Sequence, residues 1–370
     1  MNLKLLKKIY DFLATDKRRI KFLKIASFLK IRKNVVRLDT NNVCNIECIM
    51  CSNKPQKCKT ENTLAYKDFQ SIIDKSHKTI RLLYLSCGFE PLMTPDFYKY
   101  LIYAKKKKIP FISLATNGLL LNKSIIHHLV DNRINEVIIS FNGLDEEDYN
   151  RIMFRSNYKT LIKNLTYLKE YKEKNKSIYP KVRLNLILMK SNLAKIYLLE
   201  NLVDSFNIET VQFRQLAEYS DANNLKIIEE EKIENIPQND LIALLKQTRK
   251  IINNFHQRNK NIIFPLSLFE KFVDNNPPKE SSPENVFGHS KKSDKKNLVK
   301  ACSLPFFSYW IDYLGQVRIC PTDQEGLIGN LINDSWASLE KKSIPFRKKV
   351  QSGECQKNCT GVAIDSSTII

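Results

Sequence analysis

Apolar residues recur along this chain with two periods that alternate. Short runs rich in aliphatic and β-branched residues occupy Val35–Thr40, Leu82–Ser86, Phe111–Thr116, Glu136–Ser140, Val182–Leu188 and Thr210–Gln215. Runs this short, bounded by polar and turn residues, read as buried strands. Between them, Asp96–Lys107, Asn122–Asp131, Tyr158–Glu173 and Leu193–Ser205 carry apolar residues at the spacing of a helix with one buried face. Strand and helix alternating through six units predict an α/β fold with a parallel sheet and right-handed crossovers. Periodicity alone does not choose between an open doubly wound sheet and a partial barrel.

The flanks follow other patterns. Residues 1–34 read as basic amphipathic helices, with Leu5, Ile9, Phe12 and Leu13, then Phe22, Ile25, Ala26 and Leu29, at helical spacing. Packing across one end of the main domain is their expected role; contact with a membrane surface is the alternative. Residues 217–300 break the βα rhythm. They hold a charged helical stretch, Asn239–His256, and then the Pro-, Ser- and Lys-rich run Asn275–Asn297, which reads as a flexible linker. A small module, 301–370, follows. No apolar run approaches the roughly 20 residues of a membrane span, and the N-terminus lacks a secretory signal pattern. A cytoplasmic location is the expectation.

Nine glycines make each position informative, and Gly88, Gly118 and Gly143 each fall just after a predicted strand. Glycine there admits a positive φ or a close approach. Ligands of parallel α/β folds bind at that carboxyl edge.

Composition adds charge and cysteine. The formal net charge is +21, from 60 Lys+Arg against 39 Asp+Glu. The lysines are spread evenly, without the focused basic patch and interleaved aromatics of a nucleic-acid interface, so nucleic acid is a disfavoured partner. The nine cysteines are odd in number and fall mainly in two groups. In a reducing compartment that pattern favours metal or cluster ligation over disulfides. Residues 44–51 read C-x3-C-x2-C: three thiols in a loop after the first strand. They suit a [4Fe–4S] cluster with one iron left open for chemistry. A zinc site completed by Cys58, or buried structural cysteines, are the alternatives. The five histidines, including the adjacent His127 and His128, fit no ligand or triad spacing.

The segment Cys44–Cys51 resembles the C-x3-C-x-Φ-C signature of the radical S-adenosylmethionine (SAM) superfamily, with Met50 at Φ. Cys87-Gly88-Phe89-Glu90-Pro91 is similar to that family's Gly-Gly-Glu-Pro motif, and Thr116-Asn117-Gly118 and Ser140-Phe141-Asn142-Gly143 resemble its next strand-end motifs. The resemblance covers residues 35–216 and implies a partial (β/α)6 barrel. It implies that Cys44, Cys48 and Cys51 hold the cluster and that S-adenosylmethionine chelates the fourth iron. Gly88 and Glu90 would lie by the methionine amino group, and Thr116, Asn117, Ser140 and Asn142 by the ribose or carboxylate. A reductant such as flavodoxin or ferredoxin would supply one electron, giving a 5′-deoxyadenosyl radical that removes a substrate hydrogen atom. Cys87 and Asn142 stand where Gly and Asp are usual. Cys87 reads either as a small buried side chain or as a catalytic hydrogen donor.

In the last module, Cys302-x12-Gly315-x4-Cys320, Gly329-Asn330-Leu331 and Trp336 resemble the SPASM and twitch extensions of the same superfamily. A full SPASM module uses more cysteines, for two auxiliary clusters. Cys302, Cys320, Cys355 and Cys359 therefore imply a shortened iron–sulfur module with one auxiliary [4Fe–4S] cluster, zinc being the alternative. The expected function is oxidation of a small, sugar-like molecule through that second cluster. A peptide-modifying maturase is the runner-up, because the 43 residues before Cys44 are too few for a fused peptide-recognition domain. A non-enzymatic metal protein would leave the strand-end motifs unexplained.

Overall fold

A computed structural model of the protein describes residues 16–29, 31–51, 62–86, 88–216, 224–266, 302–320 and 323–352. Helix α1 (Asp16–Phe28) leads into β1 (Asn34–Leu38) and the two-residue β2 (Glu47–Cys48). Then come α2 (Tyr66–Ser76), β3 (Ile80–Leu85), α3 (Phe97–Lys106), β4 (Phe111–Thr116), α4 (Lys123–Asp131), β5 (Glu136–Ser140), α5 (Glu146–Ile152) and the short β6 (Met153–Phe154). The chain continues with α6 (Tyr158–Lys174), β7 (Lys181–Ile187), α7 (Lys190–Ala194), α8 (Leu199–Ser205), β8 (Thr210–Arg214), α9 (Leu225–Glu230), α10 (Gln238–Gln257) and β9 (Asn261–Ile263). Last are β10 (Ser308–Ile311), β11 (Gln316–Arg318), β12 (Leu327–Asn330), α11 (Trp336–Lys342) and α12 (Ile344–Gln351).

The six expected strands are present, each within two residues of its predicted ends. Local chemistry starts the helices between them. Asn122, Asp145 and Asn157 each accept a backbone N–H at the N-cap of α4, α5 and α6. The stretch expected as one helix, Leu193–Ser205, breaks at Lys195, whose ammonium bridges Asp145 and Asp148 at 2.6 Å each.

One ten-stranded sheet runs β12-β11-β10-β1-β3-β4-β5-β7-β8-β9, parallel from β10 to β9. Alternate residues face opposite sides. Leu83, Leu85, Ile112, Leu114, Val137, Ile139, Leu184 and Val211 pack with Phe69 and Ile72 of α2, Leu101 of α3, Leu129 of α4 and Leu165 of α6. The other face curls inward. Tyr84 on β3 lies within electrostatic reach of Arg214 on β8, four strands along the sheet. In a flat sheet they would stand about 19 Å apart, at about 4.8 Å per strand. The sheet is a partial barrel.

Its floor is closed. Ile20 and Leu23 of α1 and Phe306 and Phe307 pack onto Val35, Leu82, Tyr84 and Ile138 from the concave side. Helix α1 thus packs across one end of the main domain through Ile20 and Leu23 rather than the expected face, since Ile25 and Leu29 are exposed; Leu5, Ile9, Phe12 and Leu13 lie outside the described residues.

The segments after residue 216 join the same sheet. β9 pairs with β8, and β10 pairs with β1 in the register Val35↔Ser308 to Leu38↔Ile311. The boundaries drawn at 216 and 301 therefore divide the sequence but not the sheet. Arg347 of α12 donates to the Pro305 carbonyl, pairs with Glu340 of α11 and bonds the Tyr309 hydroxyl, tying both C-terminal helices to β10. Among the described residues no helix is long and apolar enough to cross a membrane.

Candidate active site at the carboxyl edge of the sheet

The loop after β1 is tied first to the loop after β3. Asn41 donates its amide to the Glu90 carbonyl and to Thr94 Oγ1, both at 2.8 Å, and the Glu90 N–H donates to the Val43 carbonyl. The thiol segment follows. Cys48 pairs through β2 with Met153 of β6, the Cys51 N–H donates to the Cys48 carbonyl at 3.1 Å, and the Ile49 N–H donates to the Ile152 carbonyl. Ile49 and Met50 are buried against Ile152, Met189, Leu216 and Ile228, which anchors the middle of the loop.

Glu90 is fully buried, and its carboxylate organises the next strand end. It accepts from Thr116 Oγ1 at 2.7 Å, the Asn117 N–H at 2.8 Å and the Leu92 N–H at 3.1 Å. Burial pushes this carboxyl up to about 7, although all three donors favour the ionised form. Asn117 donates to Asn45 Oδ1 at 2.7 Å and also reaches Cys44. The Gly88 N–H donates to Asp39 Oδ1. Just before it, Ser86 holds φ near 80°, a left-handed conformation costly for a side chain with Cβ, and its hydroxyl bonds the Phe89 carbonyl. Gly118, at φ near 81°, meets the expectation of a positive φ.

At the β5 end, Ser140 lies opposite Asn185 in the ladder. Asn142 is engaged at both ends of its amide: Oδ1 accepts the Ile187 N–H at 2.9 Å and Nδ2 lies 3.1 Å from Met153 Sδ. Gly143 answers a close approach by the chain itself. A Cβ there would stand 2.1 Å from the Tyr149 backbone nitrogen.

Two polar groups at this edge went unread in the sequence. The Tyr149 hydroxyl is buried, lies within electrostatic reach of Cys48 and Glu90, and has no hydrogen-bond partner among the described residues; Asn185 Oδ1 is equally orphaned among them. The signal for Tyr149 was faint: an aromatic one turn into the helix that follows a strand-end glycine.

Burial holds Cys44 and Cys48 in the thiol form. Burial pushes Cys44 up to about 11, against the Ile46 N–H and with the Glu90 and Cys51 charges adding to it. Burial drives Cys48 well above the ordinary thiol range, and Cys51 and Cys44 add to it. A cation must supply the charge that lets all three ionise together. No three His, Cys, Asp or Glu side chains among the described residues converge on a single ion position. A four-iron cube is larger than one ion and sets its thiolates further apart, and Cys58, which a zinc site would need, lies outside the described residues. The orphaned Tyr149 and Asn185 atoms fit a polar ligand beside the cube. Cys87, Cys355 and Cys359 also lie outside the described residues. His127 bonds the Tyr167 hydroxyl and stacks on Tyr171, and His128 stacks on Tyr98, both as helix-surface packing.

Residues 39–187, the span that carries this edge, match the family model of the Radical SAM superfamily. That span, less than half of the chain, is similar to the radical SAM superfamily. The chain shares 28% identity over 130 residues with a protein described as a probable GTP 3′,8-cyclase of Methanococcus maripaludis, covering 35% of this chain and 43% of that one. It shares 26% over 122 residues with the Fe-coproporphyrin III synthase of Methanosarcina barkeri, covering 33% and 30%. The match thus spans less than half of either relative. Among solved structures, Streptococcus suis SuiB aligns at a TM-score of 0.62 and 18% identity over 91% of this chain and 72% of that one. The anSMEcpe enzyme with AdoMet and a Cp18Cys peptide aligns at 0.57 and 16% over 90% of both chains.

The neighbours SuiB and anSMEcpe are known with bound S-adenosylmethionine. Inside the barrel of this chain, below the strand-end motifs, the sheet is polar. Arg183 pairs with Glu136 through two hydrogen bonds, 2.9 and 2.6 Å, and donates to Gln212; Ser113 donates to the other Glu136 oxygen. Cys302 and Cys320 flank the β10–β11 hairpin. β10 runs parallel to β1 and β11 runs back, so both cysteines lie at the amino edge, opposite Cys44.

Proposed function

We propose that this chain is a radical SAM enzyme that takes a hydrogen atom from a peptide and oxidises it through a second cluster in its C-terminal segment. One observation carries the reading: the thiol loop, the buried Glu90 network and two orphaned polar atoms share the carboxyl edge of one curled sheet. In this proposal Cys44, Cys48 and Cys51 hold the first cluster; Met50 packs the loop beneath it; and Gly88, Glu90, Thr116, Asn117, Ser140 and Asn142 form the S-adenosylmethionine wall. Cys302, Cys320, Cys355 and Cys359 hold the second cluster. Cys44, Cys48 and Cys51 would hold a cluster able to give S-adenosylmethionine one electron for homolytic cleavage. The second cysteine set would hold one able to take an electron from the substrate radical, whose proton passes to solvent or a base.

The protein's part is orientation and exclusion of water. Glu90 fixes the β4 end through Thr116 and Asn117 and presents a carboxylate to a cationic amino group. An ammonium there favours the ionised carboxylate, which burial alone disfavours. The packed floor of Ile20, Leu23 and Phe306 shuts the barrel against solvent from below.

A peptide is favoured over a sugar-like molecule by the fold likeness. SuiB and anSMEcpe are both known with bound peptides, and anSMEcpe matches this chain over 90% of each. Oxidation of a small molecule is the second reading, favoured by the closed floor and the charged lining of Arg183, Glu136 and Gln212.

Anaerobic reconstitution should give about eight irons per chain. Reduction with S-adenosylmethionine should release 5′-deoxyadenosine and methionine. About four irons would remove the second cluster; no 5′-deoxyadenosine with peptide or small-molecule candidates would remove the enzyme reading.

A further inference from the structure

Arg37, near the carboxyl end of β1, stands apart from the other charged groups inside the barrel. Arg183 is neutralised by Glu136 at 2.6 Å, both being buried. Arg37 has no ion pair among the described residues; its one side-chain hydrogen bond is Nη1 to Ser308 Oγ at 2.8 Å. Its guanidinium lies 5.2 Å from the ring centres of both Tyr84 and Trp310. The three residues form one row across neighbouring strands, Trp310↔Arg37↔Tyr84.

Two aromatic rings against a guanidinium cover its apolar surface and stabilise its charge, leaving the N–H edge as its route to a partner. That edge has five donors, and a neutral hydroxyl takes one. The fork geometry matches an oxyanion through two parallel bonds. The surroundings agree: the Tyr84 ring that Arg37 covers is also within reach of Arg183 and Arg214, and the Glu136 carboxylate near it is already paired with Arg183. The row also lies between the two cysteine sets. A strand of about five residues separates the two edges by about 15 Å.

We propose that Arg37, held between Tyr84 and Trp310, binds a carboxylate or phosphate oxyanion of the substrate. This names the substrate's charge and rests on the reading of the barrel interior as the substrate chamber. On a peptide the group is an acidic side chain or terminal carboxylate; on a small molecule it is an acid or a phosphate ester. The pull of Arg37 holds the substrate below the S-adenosylmethionine wall and above the second cysteine set.

Trp310 makes the test direct, because the chain has two tryptophans and Trp336→Phe leaves Trp310 as the reporter. The reconstituted holoenzyme of that variant is titrated with acetate and with inorganic phosphate, against chloride at equal ionic strength. A saturable change in Trp310 fluorescence is expected with at least one oxyanion. Saturation by acetate alone assigns a carboxylate, and by phosphate a phosphoryl group. Arg37→Gln in the same background should weaken that binding at least tenfold, and Arg37→Lys, which keeps charge without the fork, should fall between. Iron content checks that each variant is assembled. No saturable signal with either ion, or equal binding in Arg37→Gln, overturns the proposal. Failure of the enzyme reading shows separately, as absence of 5′-deoxyadenosine from the unmutated protein.

Discussion

The two cysteine regions sit on opposite edges of one sheet and are built in opposite ways. Cys44, Cys48 and Cys51 lie within one loop of eight residues, so chain connectivity brings the thiols together and tertiary structure only aims them. Their support is polar and buried: Glu90 with three donors, Asn41 with two acceptors, Asn117 against Asn45. Cys302 and Cys320 are placed by a hairpin, with Cys320 buried in the main core and Cys302 packed against it. A contiguous loop tolerates a polar wall that reads its ligand. A site assembled across a hairpin depends on packing, and packing is what destroys it most selectively.

The strongest break of the comparison is Cys48→Ala. Iron should fall from about eight to about four per chain, and 5′-deoxyadenosine should drop below detection. Retention of eight irons would dissolve the distinction between the regions. The converse is Gly326→Ala. A Cβ there would lie 2.8 Å from the Cys320 Cβ and 3.0 Å from its backbone nitrogen, so Cys320 must move. The second four irons should be lost while 5′-deoxyadenosine is still made. Loss of both activities together would mean that the two edges assemble as one unit.

The polar wall of the first region should also show itself in pH. Glu90 ordinarily titrates near 4.5 and is raised to about 7 by burial. A raised carboxyl binds its proton more tightly folded than unfolded. Stability of the protein without S-adenosylmethionine therefore falls as pH rises from about 4.5 to about 7, by about 3 kcal/mol. Thermal unfolding across that window should show the slope in the unmutated protein, and Glu90→Gln should flatten it. An unchanged slope would assign the effect elsewhere. Smallest is Tyr149→Phe. It removes a buried hydroxyl without a partner among the described residues and should stabilise the cofactor-free protein by about 1 kcal/mol. A loss of stability instead would show that this hydroxyl already has a partner.

The sequence by itself determined the βα alternation, the thiol loop and the order of the strand-end motifs. All of these are written in short spacings: a period of two or 3.6, three thiols in one loop, a glycine after a strand. What pairs with what was decided only in three dimensions. β10 joins β1 across some 270 residues of sequence, and no local pattern encodes which edge strand a later segment will extend. Tyr149 reads in sequence as one more helix aromatic. Arg37 reads as the polar position that strand alternation leaves open. Their meaning comes from burial without a partner and from a row of three side chains on three strands. Connectivity carries a loop's chemistry, but a charge inside a barrel is defined by what surrounds it, and those neighbours come from distant parts of the chain.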